Sequence, residues 1–129
     1  MGDLRAGLSG EAAGFVSESN TALAMRSGDV PVFATPAMVA LMEEAAVALL
    51  APYLDERQTT VGVRVDVRHL AATPVGGQVR AVARLMLVEG RRLTFRVLAY
   101  DDQHTIGEGQ HERMIVDRER FIQRTLGVE

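Results

Sequence analysis

From Pro36 to about Leu50 the chain is almost wholly Ala, Met, Leu and Val, broken only by Glu43 and Glu44. These are good helix formers. Thr35 ahead of Pro36 reads as an N-cap followed by proline at the first helical position, and Pro52 stops the run. A helix that is apolar on most sides must be buried on most sides. This one is therefore expected at the centre of the molecule, wrapped by whatever the rest of the chain forms.

The rest reads mainly as strands. Val61, Val63, Val65 and Val67 alternate with Gly62, Arg64, Asp66 and Arg68, the period of a strand with one buried face. Two more alternating runs follow, Val79 to Leu87 and Leu93 to Ala99, joined tightly at Glu89-Gly90-Arg91. A last strand is expected near Thr105 to Val116, and a short helix in the tail Asp117 to Leu126. Ahead of the helix, short strands are expected around Gly14 to Ser17 and Thr21 to Met25, the latter ending at the turn-like Ser27-Gly28-Asp29. Two short strands, a buried helix and a four-strand antiparallel meander make an α+β layout.

At 129 residues the chain fits one domain, residues 1–129, with enough length for a real core. All 14 basic residues are Arg, dispersed in a chain of net charge −3, so no basic stripe points to nucleic acid. The absence of cysteine excludes disulfides, thiolate ligands and a Cys nucleophile. No leader-like apolar stretch and no run of roughly 20 apolar residues is evident, so a cytoplasmic protein without membrane attachment is expected.

Several familiar sites are missing: no nucleophile elbow, no phosphate-binding loop, no dinucleotide fingerprint. His69, His104 and His111 lack metal-type spacing, so neither metal nor cofactor is expected. Three features remain, each with an ordinary explanation beside a chemical one. Thr35 is either a plain cap or a group set at a helix end suited to an oxyanion. Glu43 and Glu44 point about 100° apart, so at least one faces protein, as a structural ion pair or as a catalytic carboxylate. By parity His69 joins the buried face of its strand, as a core histidine or a catalyst.

Taken together these features resemble the fluoroacetyl-CoA thioesterase-like family of hotdog proteins. The resemblance runs from Phe33 to Phe121, through V-F-A-T-P-A-M-V-A-L-M-E-E-A-A (Val32 to Ala46), V-G-V-R-V-D-V-R-H-L-A-A-T-P-V-G (Val61 to Gly76) and G-E-G-Q-H-E-R-M-I-V-D (Gly107 to Asp117). It implies a hotdog fold, an antiparallel sheet around one long helix, and hydrolysis of an acyl-CoA-type thioester at the interface of a homodimer, with a dimer of dimers left open. It also implies a catalytic set of Thr35, Glu43 and His69, with Gly62, Phe33 and Arg113 toward the substrate. For Glu112 and Arg113 a buried ion pair is the alternative reading. Members specialised for fluoroacetyl groups resemble one another in aromatic residues before the Thr, whereas Arg26 to Val32 holds none and Phe33 stands alone. The acyl group is thus left open. Thr35 and Glu43 lie eight residues apart, roughly 12 Å along a helix, so a shared site would draw them from different subunits. The rival reading is a hotdog protein that binds a thioester or an apolar small molecule without turning it over.

Overall fold

The computed structural model describes residues 3–127. The elements run β1 (Ser9–Phe15), α1 (Ala22–Met25), α2 (Thr35–Leu50), β2 (Gln58–His69), β3 (Gln78–Glu89), β4 (Arg92–Asp101), β5 (Thr105–Asp117) and α3 (Arg118–Thr125). The five strands form one antiparallel sheet in the order β1-β3-β4-β5-β2. It curls around α2, the hotdog layout expected from the sequence.

Alternation in β3 and β4 works as expected up to Leu85; beyond it the register shifts and Leu87, expected inside, is 48% exposed. Val79, Ala81, Ala83 and Leu85, with Leu93, Phe95, Val97 and Ala99, are buried against Met38, Met42, Leu49 and Leu50 of α2. A side chain such as Phe95, with no exposed surface, contributes about 1.5–3 kcal/mol by leaving water. The β3–β4 hairpin closes through Gly90 and Arg91, with Gly90 at φ 61°, a left-handed conformation that glycine takes without strain. Where β1 crosses α2 the chain carries Gly10. A Cβ there would lie 2.7 Å from the Ala45 carbonyl oxygen and 2.8 Å from Leu49.

Four expectations need correction. The segment Thr21–Met25 is a helical turn rather than a strand: the Thr21 hydroxyl accepts from the Ala24 amide at 3.1 Å, and Arg26 closes the turn at φ 61°. The first strand lies earlier than expected, at Ser9–Phe15. The four later strands are not a simple meander, because β2 sits at the far edge beside β5 instead of next to β3. Finally, α2 is bare along one stripe, where Ala40 and Ala48 are exposed and Val47 keeps 45% of its surface accessible.

The run Thr35–Tyr53, α2 and the short 3₁₀ turn after it, is also longer than the sequence reading allowed. Its 19 residues are apolar enough to cross a membrane by length and composition. Here its apolar face, including Met38, Met42 and Ala45, is buried beneath the sheet.

Candidate active site

The site is organised along β2. On the helix side of the sheet β5 presents Gly107, Gly109 and His111, and their partners on β2 are His69, Val67 and Val65. Strict alternation would carry this face on to Val63 and Val61. Instead the register shifts between Gly62 and Arg64, and Gly62 becomes the partner of Arg113. A β-bulge of this kind reverses parity, so Gly62 and His69 face the same side despite being seven residues apart. Val63 and Val65, expected inside, are 50% and 41% exposed.

Gly62 leaves room for a carboxylate. A Cβ at this position would overlap Glu43 Oε2 and come within 3.3 Å of Arg113 Nη1 and His111 Cε1. Glu43 points from α2 into this space while Glu44 is exposed. Glu43 Oε2 accepts from Arg113 Nη1 at 3.0 Å. The Arg113 side chain, 8% exposed, also donates from Nε to Thr60 Oγ1 at 2.9 Å and from Nη2 to the Thr60 carbonyl at 3.1 Å.

Beneath this pair lies His111, almost fully buried and stacked on Phe95 with ring centroids 5.9 Å apart. Its Nδ1 lies 2.8 Å from the Arg64 carbonyl oxygen. A carbonyl only accepts, so Nδ1 carries the hydrogen, and Nε2 is left to accept from Arg113 Nη1 at 3.2 Å. That arrangement requires a neutral ring. Burial pushes the His111 pKa below the usual histidine value, against the opposing hydrogen bond to the Arg64 carbonyl and with the help of the Arg113 cation. Burial likewise lowers the Arg113 pKa, and the Glu43 carboxylate opposes it.

At the other end of β2, Thr35 does not cap the helix. The N-cap is Ala34, with no side-chain hydrogen bond, and Pro36 lies one place further in than expected. The Thr35 hydroxyl is instead 2.8 Å from His69 Nδ1. Burial pushes the His69 pKa down, with the Ala71 backbone working the other way. His69 Nε2 is buried without a hydrogen-bond partner among the described residues. A neutral imidazole against a hydroxyl is the elementary arrangement for activating that oxygen or passing a proton to it.

The segment leading into α2 is tied down at several points. The Phe33 amide donates to the Thr73 carbonyl at 2.8 Å and the Ala34 amide to the Asn20 carbonyl at 3.0 Å. The Thr73 hydroxyl donates to Asp101 Oδ2 at 2.8 Å. Phe33 is buried, and with Ser27, Val30, Val32, Thr35 and His69 it lines a cavity of about 390 Å³.

Within one chain, then, the site residues form two groups. Thr35, His69 and Phe33 stand together at one end of β2, and Glu43, Gly62 and Arg113 at the other. No hydrogen bond among the described residues joins the groups, in keeping with their separation along α2. Glu112, weighed as a buried partner of Arg113, faces the opposite side of the sheet and pairs with Arg64 at 3.1 Å and Arg92 at 3.8 Å. Sequence reasoning missed His111 and Thr60. The signal for His111 was its parity with Arg113 on β5, two residues apart and on the same face.

The sequence matches the family described as fluoroacetyl-CoA-specific thioesterase over residues 16–119. The fluoroacetyl-CoA thioesterase of Streptantibioticus cattleyicolor is 49% identical over 90 residues, which span 70% of this chain and 65% of that relative. The match thus covers just under two thirds of the relative's length. Among solved structures, a Thr-to-Ser variant of the fluoroacetyl-CoA thioesterase FlK with acetyl-CoA bound superposes with a TM-score of 0.92 at 36% identity, covering 96% of this chain and 98% of that one. A thioesterase superfamily member from Thermus thermophilus gives 0.87 at 34% identity, over 98% of this chain and 96% of that one.

Proposed function

Because the chain belongs to the fluoroacetyl-CoA-specific thioesterase family, we propose that it is a single-domain homodimeric hydrolase that cleaves a small acyl-thioester, of the acyl-CoA type, to free acid and thiol. The observation that carries this reading is the division of the site between the two ends of β2. Gly62 lies three residues before Val65 and His69 four residues after it. β2 is an edge strand, with unpaired backbone groups along one side and two exposed valines. Pairing it antiparallel with its own copy about a two-fold axis near Val65 brings the Glu43–Arg113 group of one subunit to the Thr35–His69 pair of the other. Each dimer then holds two complete sites.

In such a site the thioester carbonyl lies between the groups. Glu43, oriented by Arg113, attacks the carbonyl carbon or takes a proton from the attacking water. Thr35 donates to the substrate oxygen at the N-terminal end of α2, whose positive dipole end favours the developing oxyanion. On the water route His69 relays to the departing sulfur the proton that Glu43 took. On the attack route the thiolate leaves first, and a water deprotonated by His69 then cleaves the acyl-Glu43 anhydride, which releases the acid, frees Glu43 and supplies the proton that the thiolate takes up. A thiol with pKa about 8.5 leaves with little acid assistance, so most of the work is nucleophile and oxyanion. Gly62 keeps the space beside the Glu43 carboxylate open, and the cavity beside Phe33 receives the acyl group.

The test is release of free thiol from a panel of short acyl-CoAs, with wild type beside Glu43→Gln, His69→Ala and Thr35→Ser. Loss of kcat by at least about 100-fold in the first two, with a milder loss in Thr35→Ser, supports this mechanism. Near-normal turnover in Glu43→Gln rules out the carboxylate route. Binding of acyl-CoA without cleavage establishes the non-catalytic alternative. A Val65→Lys variant that stays fully active as a monomer would refute the shared site.

A further inference from the structure

His111 stands beside the reacting carboxylate, yet the steps of hydrolysis leave it without a task. Its side chain is 1% exposed and its Nε2 lies 3.7 Å from Glu43 Oε2. Both ring nitrogens are engaged: Nδ1 donates to the Arg64 carbonyl at 2.8 Å, and Nε2 accepts from Arg113 Nη1 at 3.2 Å. Arg64 is where the pairing of β2 with β5 resumes after the bulge. One ring thus joins the bulge that turns Gly62 inward to the arginine that holds Glu43. Gly62 leaves room for this join, since a Cβ there would lie 3.3 Å from His111 Cε1.

A guanidinium is a rigid plane with a nitrogen at each of its three corners. Thr60 holds two of those corners in Arg113, its hydroxyl accepting from Nε at 2.9 Å and its carbonyl from Nη2 at 3.1 Å. Contacts along one edge leave the plane free to tilt about that edge. The corner that would swing is Nη1, which donates to Glu43 Oε2 at 3.0 Å. His111 Nε2 takes the other Nη1 hydrogen and so fixes this corner. The ring is itself held, pinned at Nδ1 and stacked on Phe95 with centroids 5.9 Å apart. Its neutrality is essential, because a proton on Nε2 would remove the acceptor and set two cations against each other. Burial holds the ring neutral by pushing its pKa down. Of the charged side chains nearby, Glu43 from α2 and Arg113 from β5 face the ring, while Arg64 on β2 and Glu112 on β5 pair with each other on the outer side of the sheet.

We propose that His111 is a positioning residue for thioester cleavage: its neutral ring ties the bulge of β2 to Arg113 and thereby fixes the direction in which the Glu43 carboxylate meets the substrate. It acts through Arg113 and does not touch the substrate. The role deepens the hydrolase reading and rests on it, since it matters only if Glu43 attacks or serves as base.

Two substitutions separate the bonds of the ring. The amide nitrogen of His111→Asn stands near the place of Nδ1, so it keeps the donor to the Arg64 carbonyl and loses the acceptor for Arg113. The carboxamide of His111→Gln reaches the place of Nε2, so its oxygen keeps the acceptor and the donor is lost. With the best acyl-CoA of the panel, His111→Asn should lower kcat about 10- to 100-fold and leave KM within about two-fold, and His111→Gln should recover most of the lost kcat. A merely structural role would make kcat follow stability in urea whichever bond is removed. Equal losses of kcat in the two variants, or wild-type kcat in His111→Asn, overturn the proposal. A spectroscopic arm needs no folded variant at position 111: nitrogen-15 spectra of histidine-labelled wild type should show His111 near neutral pH as the uncharged Nδ1–H tautomer, with an Nε2 resonance that moves in Arg113→Met. A charged ring or an Nε2–H tautomer overturns the proposal. Should wild type cleave no ester of the panel, the hydrolase reading falls, and the spectra alone decide the tether: an Nε2 resonance that moves in Arg113→Met upholds it, and one that stays removes it.

Discussion

Replacing Arg113 by Met keeps much of the aliphatic volume and removes the guanidinium. Four acceptors then lose a donor: the Glu43 carboxylate, Thr60 Oγ1, the Thr60 carbonyl and His111 Nε2. Hydrogen bonds to charged groups contribute about 1.5–3 kcal/mol each, though not additively, and breaking a fully buried ion pair costs about 3–5 kcal/mol. The Glu43 side chain is 37% exposed, so water recovers part of that cost, and a net loss of about 2–4 kcal/mol follows. The assay is urea unfolding at one fixed protein concentration, since association adds to apparent stability. A double-mutant cycle with Glu43→Gln isolates the pair: Arg113→Met should cost less when position 43 is already neutral, with a coupling of at least about 1 kcal/mol. Arg113→Lys should recover the charge but not the fork to Thr60, and so lie between wild type and Met. A loss below about 0.5 kcal/mol, the range of an ordinary surface substitution, would refute the reasoning, as would zero coupling to position 43.

Two further predictions use the same geometry. Gly10→Ala meets backbone and helix Cβ atoms at 2.7–2.8 Å, whereas Gly107→Ala meets the flexible ends of Met38 and Met42; thermal unfolding should rank Gly10→Ala as the more damaging, by at least about 1 kcal/mol. Burial raises the Asp101 pKa, but hydrogen bonds from Gln103 N, Thr73 Oγ1 and His104 N, with the nearby His104 charge, outweigh it and hold the carboxyl below its usual value. A depressed folded pKa stabilises the protein above the unfolded value of about 3.9, and this is lost as pH falls through the folded value. The stability gap between wild type and Asp101→Asn should therefore be wide near neutrality and close below about pH 4; a gap independent of pH would exclude the ionised carboxylate as its source.

The local elements were legible in the chain where the pattern itself is local. A run of helix formers behind Pro36 announced α2. The alternation in β3 and β4 named the inward face from Val79 to Leu85 and from Leu93 to Ala99, since period and burial have one cause, but not at Leu87, which a register shift turns outward. Thr21–Met25 was misread because a short continuous apolar run suits a strand as well as one helical turn. What decided it was a hydroxyl capping an amide and a left-handed Arg26. Thr35, Glu43, Gly62, His69 and Arg113 were singled out in the sequence through the family resemblance.

Their arrangement was not. Amphipathic pattern determines which side of a strand is apolar, but strand order and register depend on hydrogen bonds between segments far apart in the chain. Only the folded sheet sets β2 at the edge beside β5, and only there does the bulge at Gly62 reverse parity and turn Gly62 and His69 to the same face. Tertiary contact also gave the Thr35 hydroxyl to His69 instead of the helix end, and put a neutral His111 under Arg113. The sequence by itself determined the helix, the strands and the chemical groups. The tertiary structure decided which groups meet, because that depends on non-local pairing and no local pattern encodes it.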